Sequence, residues 1–256
     1  MELKEKVAEQ KIGANTEVPF ISLVMPYFNP GGNLQSTVME TLSVLGGIGV
    51  PFEIIAVCDG STDGSEDALD GIQDKRLKII KRSKNKGKGF AIREGFSAAK
   101  GEYVGFMDAD GDIDPKVIPV FLRLIEENSS DVIIGSKCHR DSVVDYPILR
   151  RMYSYVYQKL VQVLFHLEIQ DSQVGIKFVR KSLFDLVAPK LTEERFVFDL
   201  ELIVAMSCLK SDLVVQEAPV WIRRRFSSTI DIRAVITIVF DTLSLYRRFK
   251  CGKYTV

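Results

Sequence analysis

Short apolar runs broken by glycine-rich turns dominate the first half of the chain. FISLVM (20–25), FEIIAV (52–57), LKII (77–80), YVGFM (103–107) and DVIIG (131–135) are nearly continuous in apolar residues and of strand length. Helical patterns separate them, which predicts a mostly parallel sheet covered on both faces, an α/β architecture. The helices are placed by their stop signals. One runs from about Leu34 to Leu45 and ends at Gly46 and Gly47; another runs from Ser65 to Ile72. A third runs from Phe90 to Ala99, closed by Gly101, and a fourth from Pro115, suited to a first helical turn, to Glu127.

The second half changes character. Tyr153, Tyr155, Val156, Leu160, Val163, Leu164 and Phe165 fall in a long helix over about 152–169, with more helix from Phe198 to Cys208 and from Arg233 to Arg248. Short strands are expected near Lys177 to Val179 and Leu213 to Trp221. No repeat or low-complexity linker divides the chain. The expected organisation is a polar N-terminal tail over 1–19, one domain over 20–248 and a C-terminal tail over 249–256. MELKEKVAEQKIGANTEVP has no apolar core and reads as a frayed tail rather than a signal peptide.

Composition narrows the class. At 46% apolar and 27% charged, the 256 residues suit a globular protein with a sizeable core. Lys and Arg together number 34, as do Asp and Glu, so the overall basic footprint of a nucleic-acid binder is missing. The charge is uneven, however: eight of the fourteen residues from Lys75 to Lys88 are basic, and Arg223, Arg224, Arg225, Arg233, Arg247, Arg248, Lys250 and Lys253 crowd the end. Each run reads either as a solvated face or as a seat for phosphate or an anionic lipid surface. Cys58, Cys138, Cys208 and Cys251 lack metal-ligand spacing and suit a reduced cytoplasmic compartment. No apolar run reaches the roughly 18 residues that span a bilayer, so any membrane contact is expected to be peripheral.

In doubly wound sheets ligands bind beyond the carboxyl ends of the strands, where PYFNPGG, CDGSTDG and DADGD all lie. Asp108 and Asp110, one residue apart at a strand end, repel unless they share a cation, and a hard ion such as Mg2+ or Mn2+ fits two carboxylates completed by substrate phosphates. The plainer reading is an Asp-rich turn with Asp114 capping the next helix. VCDGSTDGS (57–65) puts Asp59 on a turn that Gly60 and Gly64 make tight, or is simply a helix cap. In NKGKGFAIREG (85–95) a basic glycine turn opens a helix whose amides, with Lys86 and Lys88, suit phosphate. It is not a Walker A loop, and no GxGxxG follows the first strand.

In this order these motifs resemble the family 2 glycosyltransferases of GT-A fold, and within them the polyprenyl- and dolichyl-phosphate sugar synthases. The resemblance covers about residues 20–248. Its carriers are Pro26 to Asn29, Asp59 to Gly64, Asn85 to Gly95, Ala99 to Asp110, and Asp114 with Pro115. DSQVGIKF (171–178) is similar to a segment of the glucosyl branch, and RFVFDLELI (195–203) and EAPVWI (217–222) with Ser228, Thr229 and Ile230 match later elements.

The resemblance implies a nucleotide-sugar half (20–136) and an acceptor half (137–248). It places Pro26, Phe28, Val57 and Asp59 at the nucleotide, and Asp108, Ala109 and Asp110 at the metal and diphosphate, with Lys88, Asp112 and Arg225 adding to that site. It places Lys137, Arg150, Arg151, Ser154 and Ser228 at the acceptor phosphate. Asp171 and Asp199 are candidates for a positioning or base-like role, and the plainer reading of Asp199 and Glu201 is that they order the loop at a helix start.

The implied reaction is inverting, metal-dependent transfer of a hexose, glucose from UDP-glucose on the strength of DSQVGIK, to a polyprenyl or dolichyl phosphate. GDP-mannose or another UDP-hexose is the alternative donor. The expected place is the cytoplasmic face of a membrane, with the aromatic helix and basic end against the lipid, packed as core, or making a homodimer. Pro30 stands where the family has Glu, Cys58 where it has Asp, Asp112 where mannose synthases commonly have Gln, and Lys137 where Arg is usual. The Asp112 departure weakens the mannose reading, and Pro30 and Cys58 motivate a reading from another class, a catalytically silent nucleotide-sugar-binding domain, against which the intact Asp59, Asp108 and Asp110 argue.

Overall fold

In this computed structural model residues 18–145, 148–223 and 232–254 are described, the side chains of 148–150 and 232–234 excepted. Seven strands form one sheet: β1 (Ile21–Tyr27), β2 (Phe52–Asp59), β3 (Leu77–Arg82), β4 (Tyr103–Met107), β5 (Val132–Ser136), β6 (Ile176–Arg180) and β7 (Val215–Pro219), in the order β3-β2-β1-β4-β6-β5-β7. All neighbours run parallel except β6, which lies antiparallel between β4 and β5. The expected mostly parallel α/β sheet is present, with one reversed strand that composition could not reveal, because a strand's direction leaves no mark on its residues.

Alternation along the central strands builds two cores. Leu23 and Met25 of β1, with Ile54 and Ala56 of β2, face helices α1 (Leu34–Ile48) and α3 (Ile118–Asn128). Val24, Ile55 and Val57 face the opposite side, against α2 (Lys88–Ala98) and α6 (Phe198–Leu209). The remaining helices are α4 (Ile148–Phe165), α5 (Lys181–Val187) and α7 (Ile232–Lys250). α4 and α7 pack on each other through Phe165, whose ring meets Tyr246 edge-on at 5.8 Å and Phe249 at 5.6 Å, and through a 3.0 Å hydrogen bond between Tyr157 Oη and Thr242 Oγ1.

Several sequence expectations are corrected. The stretch expected to be helical over 65–72 makes only a single 3-10 turn, Ser65–Asp67; its acids turn instead toward β3, where Lys81 donates to Asp67 and Asp70 at 2.7 Å each. α1 does not stop at Gly46 and Gly47 but continues to Ile48, and ends where Gly49 takes a left-handed φ of 82°. α2 opens two residues early, at Lys88, and α4 spans Ile148–Phe165 rather than 152–169. Asp114 does cap the next turn, its Oδ1 accepting from Lys116 N at 2.9 Å with Pro115 at the first position. The expected N-terminal tail falls almost wholly outside the described residues.

Gly105 sits where β4 meets the reversed β6, and a Cβ there would overlap the ring of Phe178. Gly105→Ala is expected to lower stability by about 1–3 kcal/mol, the usual cost of overpacking a filled core. A shift of the urea midpoint at unchanged slope measures it.

Candidate active site

Three strand ends converge at one edge of the sheet. At the first, Asn29 takes a left-handed φ of 47°; its amide donates to Ser61 Oγ at 3.1 Å, and its side-chain oxygen accepts from Thr62 N at 2.8 Å. Gly31 N donates to Asp63 Oδ2 at 3.1 Å. The PYFN and DGSTD turns are therefore stitched together. Phe28 is exposed beside them, whereas the side chain of Val57 is wholly within the core and Pro26 is buried in β1. What Val57 and Pro26 present to the cleft is backbone.

Asp59 ends β2, and both its oxygens accept backbone amides of the basic turn: Oδ1 from Lys86 N at 2.9 Å, Oδ2 from Gly87 N at 2.7 Å. Gly60, at φ 74°, packs so closely beneath this turn that a Cβ would lie 2.6 Å from Asn85 N. The turn is thus gripped by a buried carboxylate before it opens α2.

α2 begins at Lys88, and Lys88 Nζ pairs with Asp108 Oδ1 at 2.6 Å. Asp108 lies directly after β4; its amide donates to Gly175 O at 2.9 Å, and its carboxylate rests on Gly175, where any Cβ would collide with it. Burial works against the Lys88 ammonium, yet the charge of Asp108, with Asp199 and Asp110 behind it, holds its pKa above the ordinary lysine value. Asp110 turns the chain, its Oδ1 accepting Asp112 N at 3.0 Å, while Ala109 is buried between the two acids.

The segment 112–114 is anchored to the chain's late strand. Arg223 N donates to Asp112 O and Asp114 N to Trp221 O, each at 2.8 Å. The Arg223 guanidinium forks onto Glu40 with two 2.6 Å bonds and reaches Asp114 at 2.7 Å, which raises its pKa further. Arg225 and Ser228 lie outside the described residues.

Lys177 was not among the residues singled out by sequence. Fully buried on β6, it donates to Val174 O at 2.7 Å, pairs with Asp199 Oδ2 at 3.3 Å and stands 5.2 Å from the Phe106 ring. Lys88 stands 5.4 Å from the same ring. Burial pushes the Lys177 pKa down and the Lys88 charge adds to this, with Asp199 opposing. Asp199 Oδ1 is buried with no hydrogen-bond partner. A lysine at the centre of the apolar IKFV strand was the available signal. Glu201 has the plainer role expected of it, accepting from Thr192 N and Glu193 N at the loop before α6.

A second feature opens nearby. Lys137, Arg151, Ser154 and Asp171 line a cavity of about 410 Å³ with Cys138, Ser142, Val144, Tyr155 and Gln158. Asp171 Oδ2 accepts Lys137 N at 3.2 Å and pairs with Lys137 Nζ at 3.0 Å. The side chain of Arg150 is not described. Asp171 lies four residues before Gly175, the residue under Asp108, so the backbone at the cavity wall lies within about 14 Å of Gly175.

Asp108 and Asp110 offer hard oxygen ligands in the number that Mg2+ or Mn2+ takes from protein when phosphates complete its shell, so the donor set fits such an ion. Among the described residues no group of three or more His, Cys, Asp or Glu forms a fuller cage.

Comparison with known proteins identifies the family. Dolichyl-phosphate beta-glucosyltransferase of Saccharomyces cerevisiae is 30% identical over 78% of this chain and 66% of its own length, and the Dictyostelium discoideum enzyme of that name is 27% identical over 72% and 61%. The chain thus spans about two thirds or less of these relatives. In fold it is similar to glucosyl-3-phosphoglycerate synthase of Mycobacterium tuberculosis, solved with Mn2+, UDP and phosphoglyceric acid, at TM-score 0.69, 17% identity and 94% and 82% coverage. Residues 22–187 match Glycosyl transferase family 2, and the chain belongs to that family.

Proposed function

We propose that this protein transfers a hexose, glucose from UDP-glucose, to the phosphate of a dolichol or other polyprenol, with inversion at the anomeric carbon and with Mg2+ or Mn2+. The observation that carries the reading is a cationic cavity, Lys137 and Arg151 with Ser154, one of whose lining residues, Asp171, lies four residues before Gly175, the residue whose carbonyl accepts the Asp108 amide. The names of the curated relatives support the lipid acceptor and the sugar, and the nucleotide and metal bound in the structural neighbour support the donor side.

The donor diphosphate meets the basic turn. The start of α2 and the Lys88 ammonium face it, and Asp59 fixes the turn's position. Asp108 and Asp110 are the residues that would hold the metal, whose charge stabilises the departing nucleoside diphosphate. Lys137 and Arg151 seat the acceptor phosphate, and Asp171 orients Lys137. With a second pKa of about 6, a phosphate monoester is largely dianionic at neutral pH, so its oxygen attacks without first giving a proton to a strong base.

The lipid chain leaves the cavity along α4 and α7. Tyr153, Tyr155, Val156 and Val163 on α4 are exposed, as are Ile236, Phe240 and Leu243 on α7, and the last turn of α7 carries Arg247, Arg248 and Lys250. Among the described residues no helix is long and apolar enough to cross a membrane. The proposed contact is a peripheral one with the cytoplasmic leaflet, drawing on apolar burial and anionic headgroups.

Asp110→Ala is expected to reduce metal-dependent transfer by about 100-fold or more while the melting transition stays within a few degrees. Transfer from UDP- and GDP-sugars to a short polyprenyl phosphate, with Mn2+ and with EDTA, measures this, and full activity in the variant removes the metal assignment. Arg151→Ala is expected to raise the KM for the lipid phosphate about tenfold, the scale of one charged hydrogen bond, at unchanged donor KM. Equal acceptor kinetics would separate Arg151 from that role. Val163→Ser with Phe240→Ser is expected to reduce co-sedimentation with phosphatidylserine vesicles severalfold, leaving transfer to a detergent-dispersed acceptor intact.

A further inference from the structure

Residues 248–254 do not behave as a tail. Tyr254 is buried, and its hydroxyl donates to Glu201 Oε1 at 2.6 Å. Lys253 Nζ donates to Thr192 Oγ1 at 2.6 Å and lies 4.0 Å from Glu201. Arg248 pairs with Glu193, and Lys190 Nζ reaches Tyr254 O at 3.4 Å. Each of these polar contacts ends on the stretch 190–201, the loop that leads into α6.

That loop is the back wall of the basic turn. Glu201, fully buried, accepts from Thr192 N at 2.9 Å, Thr192 Oγ1 at 3.1 Å and Glu193 N at 2.8 Å, which fixes the loop's path. The next carbonyl, of Glu194, accepts Phe90 N at 3.3 Å, taking one of the open amides in the first turn of α2. Gly87 packs on that carbonyl with no room for a Cβ, and a Cβ on Gly89 would lie 2.5 Å from Phe198 Cβ. Arg93, one turn along α2, donates to Leu191 O at 2.6 Å. A shift of the loop therefore moves the turn, and with it Lys88 and the amides that Asp59 grips from the other side.

We infer that Tyr254 and Lys253 are positioning residues for the donor site, acting through Glu201 and the 191–195 loop on the turn at Gly87. The inference rests on the proposal that this turn meets the donor diphosphate. It makes Lys253 and Tyr254 part of nucleotide-sugar recognition, while their contacts with Thr192 and Glu201 fall on none of the residues that line the cavity at Lys137.

The test uses the full chain as wild type, Tyr254→Phe, Lys253→Met and Lys253→Arg. UDP affinity in Mn2+ is read by calorimetry, alongside acceptor KM at saturating donor and the melting temperature. Tyr254→Phe keeps the ring and removes one hydrogen bond; each of Tyr254→Phe and Lys253→Met is expected to weaken UDP about fivefold, the scale of one such bond, at unchanged acceptor KM. Lys253→Arg, which retains a donor toward Thr192, is expected to restore the wild-type value. Wild-type UDP affinity in both weakened variants, with only a lower melting temperature, reduces the segment to a structural plug and overturns the inference. A wild type that binds neither UDP nor GDP overturns the donor reading itself, and the inference with it.

Discussion

The ion pair between Lys88 and Asp108 is the constraint around which this molecule is arranged. An acidic strand end facing a cleft carries a partly buried negative charge, and a cation held against it offsets the cost of that burial. Lys88 supplies that cation from the first position of α2, and its reach is set by what holds the helix start. Asp59 grips the preceding turn from β2, the loop before α6 closes it from behind, and Gly175 leaves space for the Asp108 carboxylate from the strand alongside. Three parts of the sequence far apart in number thus fix one pair of charges.

The reversed strand β6 has a similar logic. Running antiparallel to β4, it pairs Lys177 with Phe106 and brings the loop 171–175 to the mouth of β4. Lys177 and Lys88 both lie against the Phe106 ring, and each has an aspartate, Asp199 and Asp108 respectively. Two lysines that repel thus share one aromatic ring, and each is paired with its own aspartate. The same reversal carries Asp171 to the cavity, so a single strand direction sets the proximity of the acidic strand end and the cationic seat.

How much of this was legible in the sequence depends on the range of the interaction. The strands, the two-sided core and the clustering of polar turns at one sheet edge follow from local periodicity and stop signals, and Asp108, Asp110, Lys88, Lys137 and Arg151 were proposed from turn chemistry and family pattern. What escaped was set by tertiary contact. Gly46 and Gly47 look like a helix end, but the true stop is the left-handed Gly49. Residues 65–72 look helical, but Lys81 on a neighbouring strand draws Asp67 and Asp70 outward. Cys58, where the family has an acid, is wholly buried in the core beside α1. An aspartate at 58 would place an unpaired charge there, so its absence leaves Asp59 as the working acid of that strand end.

The pairing of the remaining acids bears on the chemistry. Asp171 and Asp199 were the candidates for a base, yet each is committed to a lysine, Asp171 to Lys137 at 3.0 Å and Asp199 to Lys177 at 3.3 Å. An alcohol acceptor would need a base within reach of its proton, and both carboxylates are already engaged by lysines. A phosphate acceptor needs none; its demand is for positive charge that compensates its own approach to a diphosphate. On the proposed reading Lys137 and Arg151 would meet that demand, with Asp171 paired to Lys137, and it is this arrangement of charges rather than any single residue that favours a phosphate nucleophile.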